Sequence, residues 1–146
     1  METYQAGLSW ETILNKRQAF REAFHFYDAQ KIAQMTDADL DVLLDNPDII
    51  RNKMKIYATR ANAQAFLAVQ NQFGSFNDYI WSFVEFKTID NQITNYKEAL
   101  TKTELSETMS KALKKQGFKF VGPVCVYSFL EAAGLINEHE NNCDWK

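Results

Sequence analysis

Apolar residues recur at helical intervals through most of the chain. The first of them fall at roughly helical intervals: Leu8, Ile13, Leu14, Phe20, Phe24 and Phe26. Asp28, and then Thr36 or Asp37, precede further apolar segments and can accept hydrogen bonds from the free amides of a helix start. The pattern therefore predicts short helices ending near Met35 and Leu44, before a break at Asn46-Pro47-Asp48.

The later pattern predicts longer helices separated by glycine and one long connection. We expect helices from Ile49 or Lys53 to Phe73, over 75–84 with Trp81 in the core, over 106–115, and over 124–136. Gly74, Gly134 and Asn137 are suited to helix ends. Residues 85–102 lose the periodicity and predict an exposed connection. Because no segment alternates convincingly, we expect no strand pair and an all-α fold of many short helices.

Composition limits the size and class of the protein. The 146 residues fit one domain, 1–146, and the 46% apolar content is that of a folded globular chain. The formal charge of −3 excludes a surface that binds polyanions throughout, although local basic clusters remain compatible with DNA. Without a membrane-length apolar run or a secretory leader, the sequence predicts a cytoplasmic protein.

The stretch QAGLSW, residues 5–10, has two interpretations. The simpler is a joint between helices, with Ser9 capping a helix that begins at Trp10. In the functional interpretation, Gly7 and Leu8 fill a gap in a base stack and Trp10 stacks on a flipped base.

The stretch NPDIIRNKMK, residues 46–55, joins two helical segments through a short turn. Such a run is usually a solvated helix start. It also suits a helix-hairpin-helix module, in which a helix N-terminus receives a DNA phosphate and Arg51, Lys53 or Lys55 adds charge. The glycines typical of that hairpin are missing, and Asn52 is a residue that tolerates the left-handed conformation they would supply.

A second basic cluster lies in SKALKKQGFKFVG, residues 110–122. Its lysines, Lys119 among them, form either a solvated face or a set of phosphate contacts. The interleaved Phe118 and Phe120 are expected to pack inward.

The chain closes with His139 and Cys143, four residues apart. A structural zinc needs four ligands of this kind, so the pair by itself is at most half a site. Cys125, in an apolar segment, is typical of a buried thiol rather than of a disulfide framework.

Together, QAGLSW, IIRNKMKI, IWSF, SKALKKQGFKFVG and YSFLEAAGLINEH, with the final Cys143, resemble the DNA-3-methyladenine glycosylase I family over essentially the whole chain. The resemblance implies a helix-hairpin-helix glycosylase bundle that acts on alkylated double-stranded DNA. It also implies monofunctional hydrolysis of the N-glycosidic bond of 3-methyladenine during base-excision repair, and a structural zinc.

The resemblance carries particular residues with it. It places the base-recognising glutamate at Glu2, the pocket tryptophan at Trp10 and the glycine-leucine pair at the lesion at Gly7 and Leu8. Residues in its pocket-lining YSF segment are Tyr127 and Ser128, and its C-terminal zinc ligands match His139 and Cys143.

The family has an upstream segment that this sequence does not match. In the family that segment supplies the other two zinc ligands and aromatic residues that close over the base. We therefore expect an empty half-site, no cofactor in this chain, less order after Asn137 than in the preceding helix, and a monomer. Two alternatives remain: a DNA-binding remnant that has lost catalysis, and a helical interaction protein without DNA contact.

Overall fold

The computed structural model describes residues 1–5, 7–95, 97 and 99–144. Predictions that involve Ala6, Tyr96, Glu98, Trp145 or Lys146 lie outside the described residues. The α-helices are α1 Glu2–Gln5, α2 Trp10–Asn15, α3 Arg17–Ala23, α4 Ala29–Gln34, α5 Asp37–Val42, α6 Lys53–Phe73, α7 Phe76–Trp81, α8 Glu104–Lys115 and α9 Pro123–Ala132. Short 3-10 turns occupy His25–Tyr27, Leu43–Asp45 and Ser82–Val84. The predicted all-α class is confirmed.

Local capping chemistry sets the helix starts. Three helices begin with a side chain that accepts a hydrogen bond from a backbone amide: Ser9 at α2, Asp28 at α4 and Thr36 at α5. These contacts satisfy amides that have no partner inside a helix. Gly74, with φ of 86°, ends α6 where the sequence predicts. The predicted starts of α2, α4 and α5 and the predicted end of α6 are confirmed. They were predictable because capping contacts act within four residues of the boundary.

Helix α6 connects two hydrophobic clusters. The N-terminal cluster gathers the side chains of Tyr4, Ile13, Phe20, Phe24, Ile32, Met35, Leu40, Ile49, Ile56 and Ala63. The C-terminal cluster begins with Ala65 and Val69 of the same helix and includes Met109, Tyr127, Leu130 and Leu135. Helix α6, 21 residues long, therefore contributes side chains to both clusters, and Trp81 is only partly buried beside the second cluster.

Two short strands contradict the expectation of no strand pairing. Strand β1, Ile89–Asp90, pairs in parallel with β2, Ile136–Asn137. Helix α9 consequently ends at Ala132 rather than near Ile136. The apolar Leu135 and Ile136 are buried, so burial in an extended segment gave the same signal as burial in a helix.

The turn at 25–27 also departs from the helical pattern. His25, Phe26 and Tyr27 have φ of 50°, 56° and 62°, a left-handed turn made without glycine. The turn exposes 64% of Phe26, and 45% of Leu14 is exposed on α2. An apolar residue that fits the helical spacing is therefore not always buried. No helix within the described residues is long and apolar enough to cross a membrane.

Candidate active site

A cleft of about 610 Å³ lies between the N-terminal residues and the start of α9. We call it the Glu2 cleft. Its walls combine predicted site residues with others that the sequence did not single out: Glu2, Gln5, Gly7, Leu8, Phe120, Gly122, Val124, Cys125 and Ser128. The structure thus brings together Glu2, Gly7, Leu8 and Ser128, which lie up to 126 residues apart in the sequence. Most of the cleft wall is apolar, and Glu2 is the one carboxylate among the described lining residues.

Helix α1 positions Glu2, although one turn of helix is not stable by itself. Its Tyr4 ring is buried against Phe20, with ring centroids 4.4 Å apart. The Tyr4 hydroxyl donates to the Lys55 carbonyl (3.2 Å) and also contacts the Thr59 hydroxyl. Packing and hydrogen bonds to α6 therefore fix the turn that carries Glu2.

Phe120 is a cleft residue that the sequence interpretation missed. The prediction placed its side chain inward beside Phe118. Phe118 is buried, whereas Phe120 is partly exposed and lines the Glu2 cleft. Its φ of 57° is left-handed, a conformation that L-residues adopt only under constraint. The two glycines of GFKFVG are the sequence feature that could have indicated a sharp turn in this segment.

Contacts from two helices hold the Phe120 loop. On one side, Asn62 of α6 accepts from the Lys119 amide (2.7 Å) and donates to the Lys119 carbonyl (3.2 Å). On the other side, the buried Ser110 hydroxyl donates to the Val121 carbonyl (2.6 Å). The strained residue is therefore fixed on both sides. Exposed Lys119 stands next to the cleft, where its side chain remains a candidate phosphate contact.

The electrostatics of the cleft favour a cation and disfavour a thiolate. Burial, followed by the negative charge of Glu2, raises the pKa of the Cys125 thiol to about 11. Cys125 is consequently protonated at neutral pH and is a poor nucleophile. Burial, then Glu138 and Glu2, raises the pKa of Glu131 to about 7. Among the described residues that line the Glu2 cleft, Glu2 is the one acidic side chain, and Glu131 interacts with its charge from outside the cleft.

Two predicted pocket residues do not line the cleft. Trp10 begins α2 with 40% of its surface exposed, and it is absent from the described lining. Tyr127 is buried, and its hydroxyl donates to Glu138 while accepting from Asn91 (3.3 Å). Its position in YSF is one residue from Ser128, so the two side chains point to different sides of α9. Tyr127 therefore ties the β1–β2 region to α9 instead of lining the pocket.

The predicted hairpin lies between the Leu43–Asp45 turn and α6. Asn52 is not left-handed: it has φ of −106° and caps α6 by accepting from the Lys55 amide (3.1 Å). Within the described residues, the Lys53 and Met54 amides that follow have no acceptor, as is usual at a helix start. The Arg51 side chain is exposed, and the Lys53 ammonium lies 3.4 Å from Asp41.

Lys55 does not fit its predicted role as a phosphate contact. Only 6% of the residue is exposed, and its ammonium donates to the Tyr4 carbonyl (2.8 Å). The position falls on the inner face of α6, which the charge of the sequence stretch NKMK does not reveal. The prediction of an exposed cation here is wrong.

His139 and Cys143 come together in space. Nδ1 of His139 lies 3.3 Å from Sγ of Cys143, close to the separation that two ligands of one tetrahedral zinc would have. Within the described residues no group of three or more histidine, cysteine or acidic side chains is arranged to hold a metal. The pair therefore fits half of a structural site.

Comparison with known proteins identifies the family. The methyladenine glycosylase family model matches residues 1–146. A DNA-3-methyladenine glycosylase of Haemophilus influenzae is 46% identical over 146 residues, covering 100% of this chain and 79% of the relative. DNA-3-methyladenine glycosylase 1 of Escherichia coli is 44% identical over 143 residues, covering 98% and 76%.

Solved structures of similar proteins share the fold. The 3-methyladenine DNA glycosylase I of Staphylococcus aureus superposes with a TM-score of 0.94 at 43% identity, covering 98% of this chain and 76% of that one. A single-substitution variant of a 3-methyladenine DNA glycosylase I, in complex with 3-methyladenine, gives 0.95 at 43% identity, covering 98% and 77%. The fold is thus that of the all-α 3-methyladenine DNA glycosylase I structures. The chain belongs to the methyladenine glycosylase family.

Proposed function

We propose that this protein removes 3-methyladenine from alkylated DNA by hydrolysing its N-glycosidic bond, as the first step of base-excision repair. The relatives named for this activity match the chain almost end to end. The observation that carries the assignment to a site is the Glu2 cleft, in which a single glutamate on a fixed helical turn faces apolar and aromatic walls.

The proposed reaction depends on recognition of the methylated base more than on a nucleophilic side chain. Methylation at N3 gives adenine a positive charge and weakens its bond to the sugar. A base that has been rotated out of the duplex must therefore be held, and water must be admitted. In our proposal the Glu2 carboxylate accepts a hydrogen bond from the exocyclic amine and favours the cationic ring electrostatically. Phe120 supplies the stacking surface.

Gly7 and Leu8 suit the opposite task of filling the vacated position in the base stack. Gly7 has φ of 80°, which turns the chain sharply after α1. Leu8 follows with 37% of its surface exposed at the cleft edge. A small residue next to an exposed apolar one matches the wedge that base-flipping proteins insert into DNA.

We further propose that the 46–52 turn and the N-terminus of α6 form the DNA-backbone contact of a helix-hairpin-helix. The Lys53 and Met54 amides are directed out of the helix start, and exposed Arg51 adds charge beside them. A phosphate there would be bound without reading sequence, as suits an enzyme that seeks damage rather than a motif.

The reaction is proposed to stop at base release. A bifunctional glycosylase needs an amine that reaches the sugar carbon, and neither a lysine nor Met1 is among the described residues that line the Glu2 cleft. The Lys55 amine is instead directed at the Tyr4 carbonyl. The cleaved product is therefore an abasic site in an intact strand.

For the metal, we propose that His139 and Cys143 alone hold zinc only weakly, because two ligands leave half of a tetrahedral shell to water. No step of the reaction involves the ion. Metal analysis of the purified, tag-free protein tests this, with substoichiometric zinc expected. Near-stoichiometric zinc that is lost in Cys143→Ser would contradict it and would indicate a site shared by two chains. We propose a monomer acting in the cytoplasm.

The direct test of the proposed function is release of free bases from methylated duplex DNA by the purified protein. The expected product is 3-methyladenine, with strands left intact until alkali or an abasic-site nuclease is added. Salt-dependent DNA binding without base release would favour the non-catalytic remnant. Absence of both would favour an interaction protein.

A further inference from the structure

Lys55 is an unusual lysine, because its charged end is inside the protein. Only 6% of the residue is exposed, and burying an ammonium is costly unless hydrogen bonds accept from it. Its Nζ donates to the Tyr4 carbonyl at 2.8 Å. Burial lowers the pKa of the Lys55 ammonium. At such a position the ammonium needs hydrogen-bond acceptors inside the protein, and the Tyr4 carbonyl is one of them.

The contact joins two segments 51 residues apart in the sequence. In the reverse direction, the Tyr4 hydroxyl donates to the Lys55 carbonyl (3.2 Å), and the Thr59 hydroxyl donates to the same carbonyl (3.0 Å). Tyr4 and Lys55 thus hold each other by both main chain and side chain. We call this pair, with Thr59, the α1–α6 clasp.

On the α1 side, the clasp holds the carbonyl of Tyr4, a residue that lies in the sequence between Glu2 and the Gly7-Leu8 pair. The Tyr4 amide donates to the Met1 carbonyl (2.9 Å), so Glu2 lies within a single closed turn. The Tyr4 carbonyl points out of the C-terminal end of that turn, just before Gly7 and Leu8. A displacement of this carbonyl would therefore move the Glu2 carboxylate and the wedge together.

On the α6 side, the same residue belongs to the hairpin. The Lys55 amide donates to the Asn52 side chain, which caps α6 directly after the 46–52 turn. Lys55 therefore contacts the proposed phosphate-binding turn through its backbone and the base-recognising turn through its side chain.

We propose that Lys55 is a positioning residue, which sets the Glu2 turn at a fixed place relative to the DNA-binding hairpin through its hydrogen bond to the Tyr4 carbonyl. The inference rests on the proposed function for its kinetic consequence and on geometry alone for its structural one. Lys55 does not touch the base: it is absent from the described lining of the Glu2 cleft.

The test compares Lys55→Met, which keeps the length of the side chain without the donor, with Lys53→Met. Lys53 is the matched control because it is two residues away on the same helix and exposed. Hydrogen exchange, followed by mass spectrometry, should become faster in residues 1–8 of Lys55→Met while the centre of α6 stays protected. Lys53→Met should leave residues 1–8 unchanged. This part of the test needs no enzymatic activity.

The kinetic part measures single-turnover release of 3-methyladenine. Misplacing a recognition group by about 1 Å costs on the order of 10²-fold in rate, so a loss of that size is expected in Lys55→Met. Affinity for an undamaged duplex, in which no base is flipped and the wedge has no gap to fill, should change less than about twofold. Because Lys55 acts through Glu2, adding Lys55→Met to Glu2→Gln should slow release little further.

The other outcomes distinguish failure of the positioning role of Lys55 from failure of the proposed function. Unchanged hydrogen exchange in residues 1–8 of Lys55→Met would overturn the positioning role. So would a double variant whose loss in the rate of release equals the product of the two single-variant losses. If Lys55→Met does not fold, Thr59→Val weakens the clasp from its other side, and the same exchange and rate readouts apply to it. No base release by the wild-type protein would count against the proposed function, while the exchange result would still decide the role of Lys55.

Discussion

Replacing Phe120 by glycine should separate the stability of the protein from its activity. Phe120 is held at φ of 57°, and a left-handed conformation costs an L-residue about 1–2 kcal/mol, which glycine would not pay. Against this gain, the partly buried ring loses apolar contact, and glycine costs about 0.5–1 kcal/mol of backbone entropy. These terms nearly cancel, so the unfolding free energy should change by less than about 2 kcal/mol.

Activity should respond differently, because the ring is proposed to stack on the flipped base. Stacking of a base on an aromatic side chain is worth about 1–3 kcal/mol, which corresponds to roughly a 5- to 150-fold loss in the rate of base release. Urea denaturation measures the first quantity and single-turnover release of 3-methyladenine the second. Phe120→Leu should lose activity in the same direction, since it keeps apolar bulk without the aromatic ring.

Phe26 provides the matched control. It is also a phenylalanine in a left-handed conformation, with φ of 56°, but it is 64% exposed and does not line the cleft. Phe26→Gly should leave the rate of base release unchanged. Wild-type release by Phe120→Gly, or an equal loss in both glycine variants, would refute the assignment of Phe120 to the base.

Further predictions concern stability and the hairpin. Ser110→Ala leaves the buried Val121 carbonyl without its donor and should cost about 1–3 kcal/mol, seen as a lower urea midpoint with an unchanged slope; an unchanged midpoint would contradict it. Burial and Glu138 raise the folded-state pKa of Glu131 to about 7, so the folded state binds more protons than the unfolded chain and loses stability as pH rises from about 4.5 through 7. Glu131→Gln should therefore raise Tm at pH 8, by the equivalent of about 1 kcal/mol after allowance for its solvent exposure, and leave it nearly unchanged at pH 4; equal effects at both pH values would refute this. Arg51→Gln should weaken binding to abasic duplex DNA and reduce its salt dependence; an unaltered salt slope would exclude the hairpin as a phosphate contact.

The sequence predicted best what depends on near neighbours. The caps of α2, α4 and α5 and the end of α6 each depend on contacts within four residues, and all were predicted correctly. The long α6 was also predicted, because 21 residues give the helical period room to show. The short β1–β2 pair gives no such signal, since each strand has two residues.

The composition of the cleft was only partly predictable. The resemblance to a family supplied Glu2, Gly7, Leu8 and Ser128, which chemistry alone would not have selected from 146 residues. It could not show that Lys55 faces inward. Burial of that residue depends on Tyr4, 51 positions away, and a lysine among exposed cations gives the same local pattern either way.

The orientation of Phe120 was likewise beyond the local pattern. Its loop is fixed by Asn62, 57 residues from Lys119, and by Ser110 on α8. Apolar character alone predicted that Phe118 and Phe120 both pack inward. Phe120 instead has a left-handed conformation and lines the cleft.

The central claim, that base excision takes place in the cleft built around Glu2, is tested most directly by single-turnover release of 3-methyladenine from methylated duplex DNA. Wild-type protein, Glu2→Gln and Glu22→Gln are compared, the last being an exposed glutamate of α3 outside the cleft. The account predicts release by wild-type and Glu22→Gln at equal rates, and a loss on the order of 10²-fold in Glu2→Gln, since an interaction with a charged partner is removed at the recognition site. Release by Glu2→Gln at the wild-type rate would contradict it.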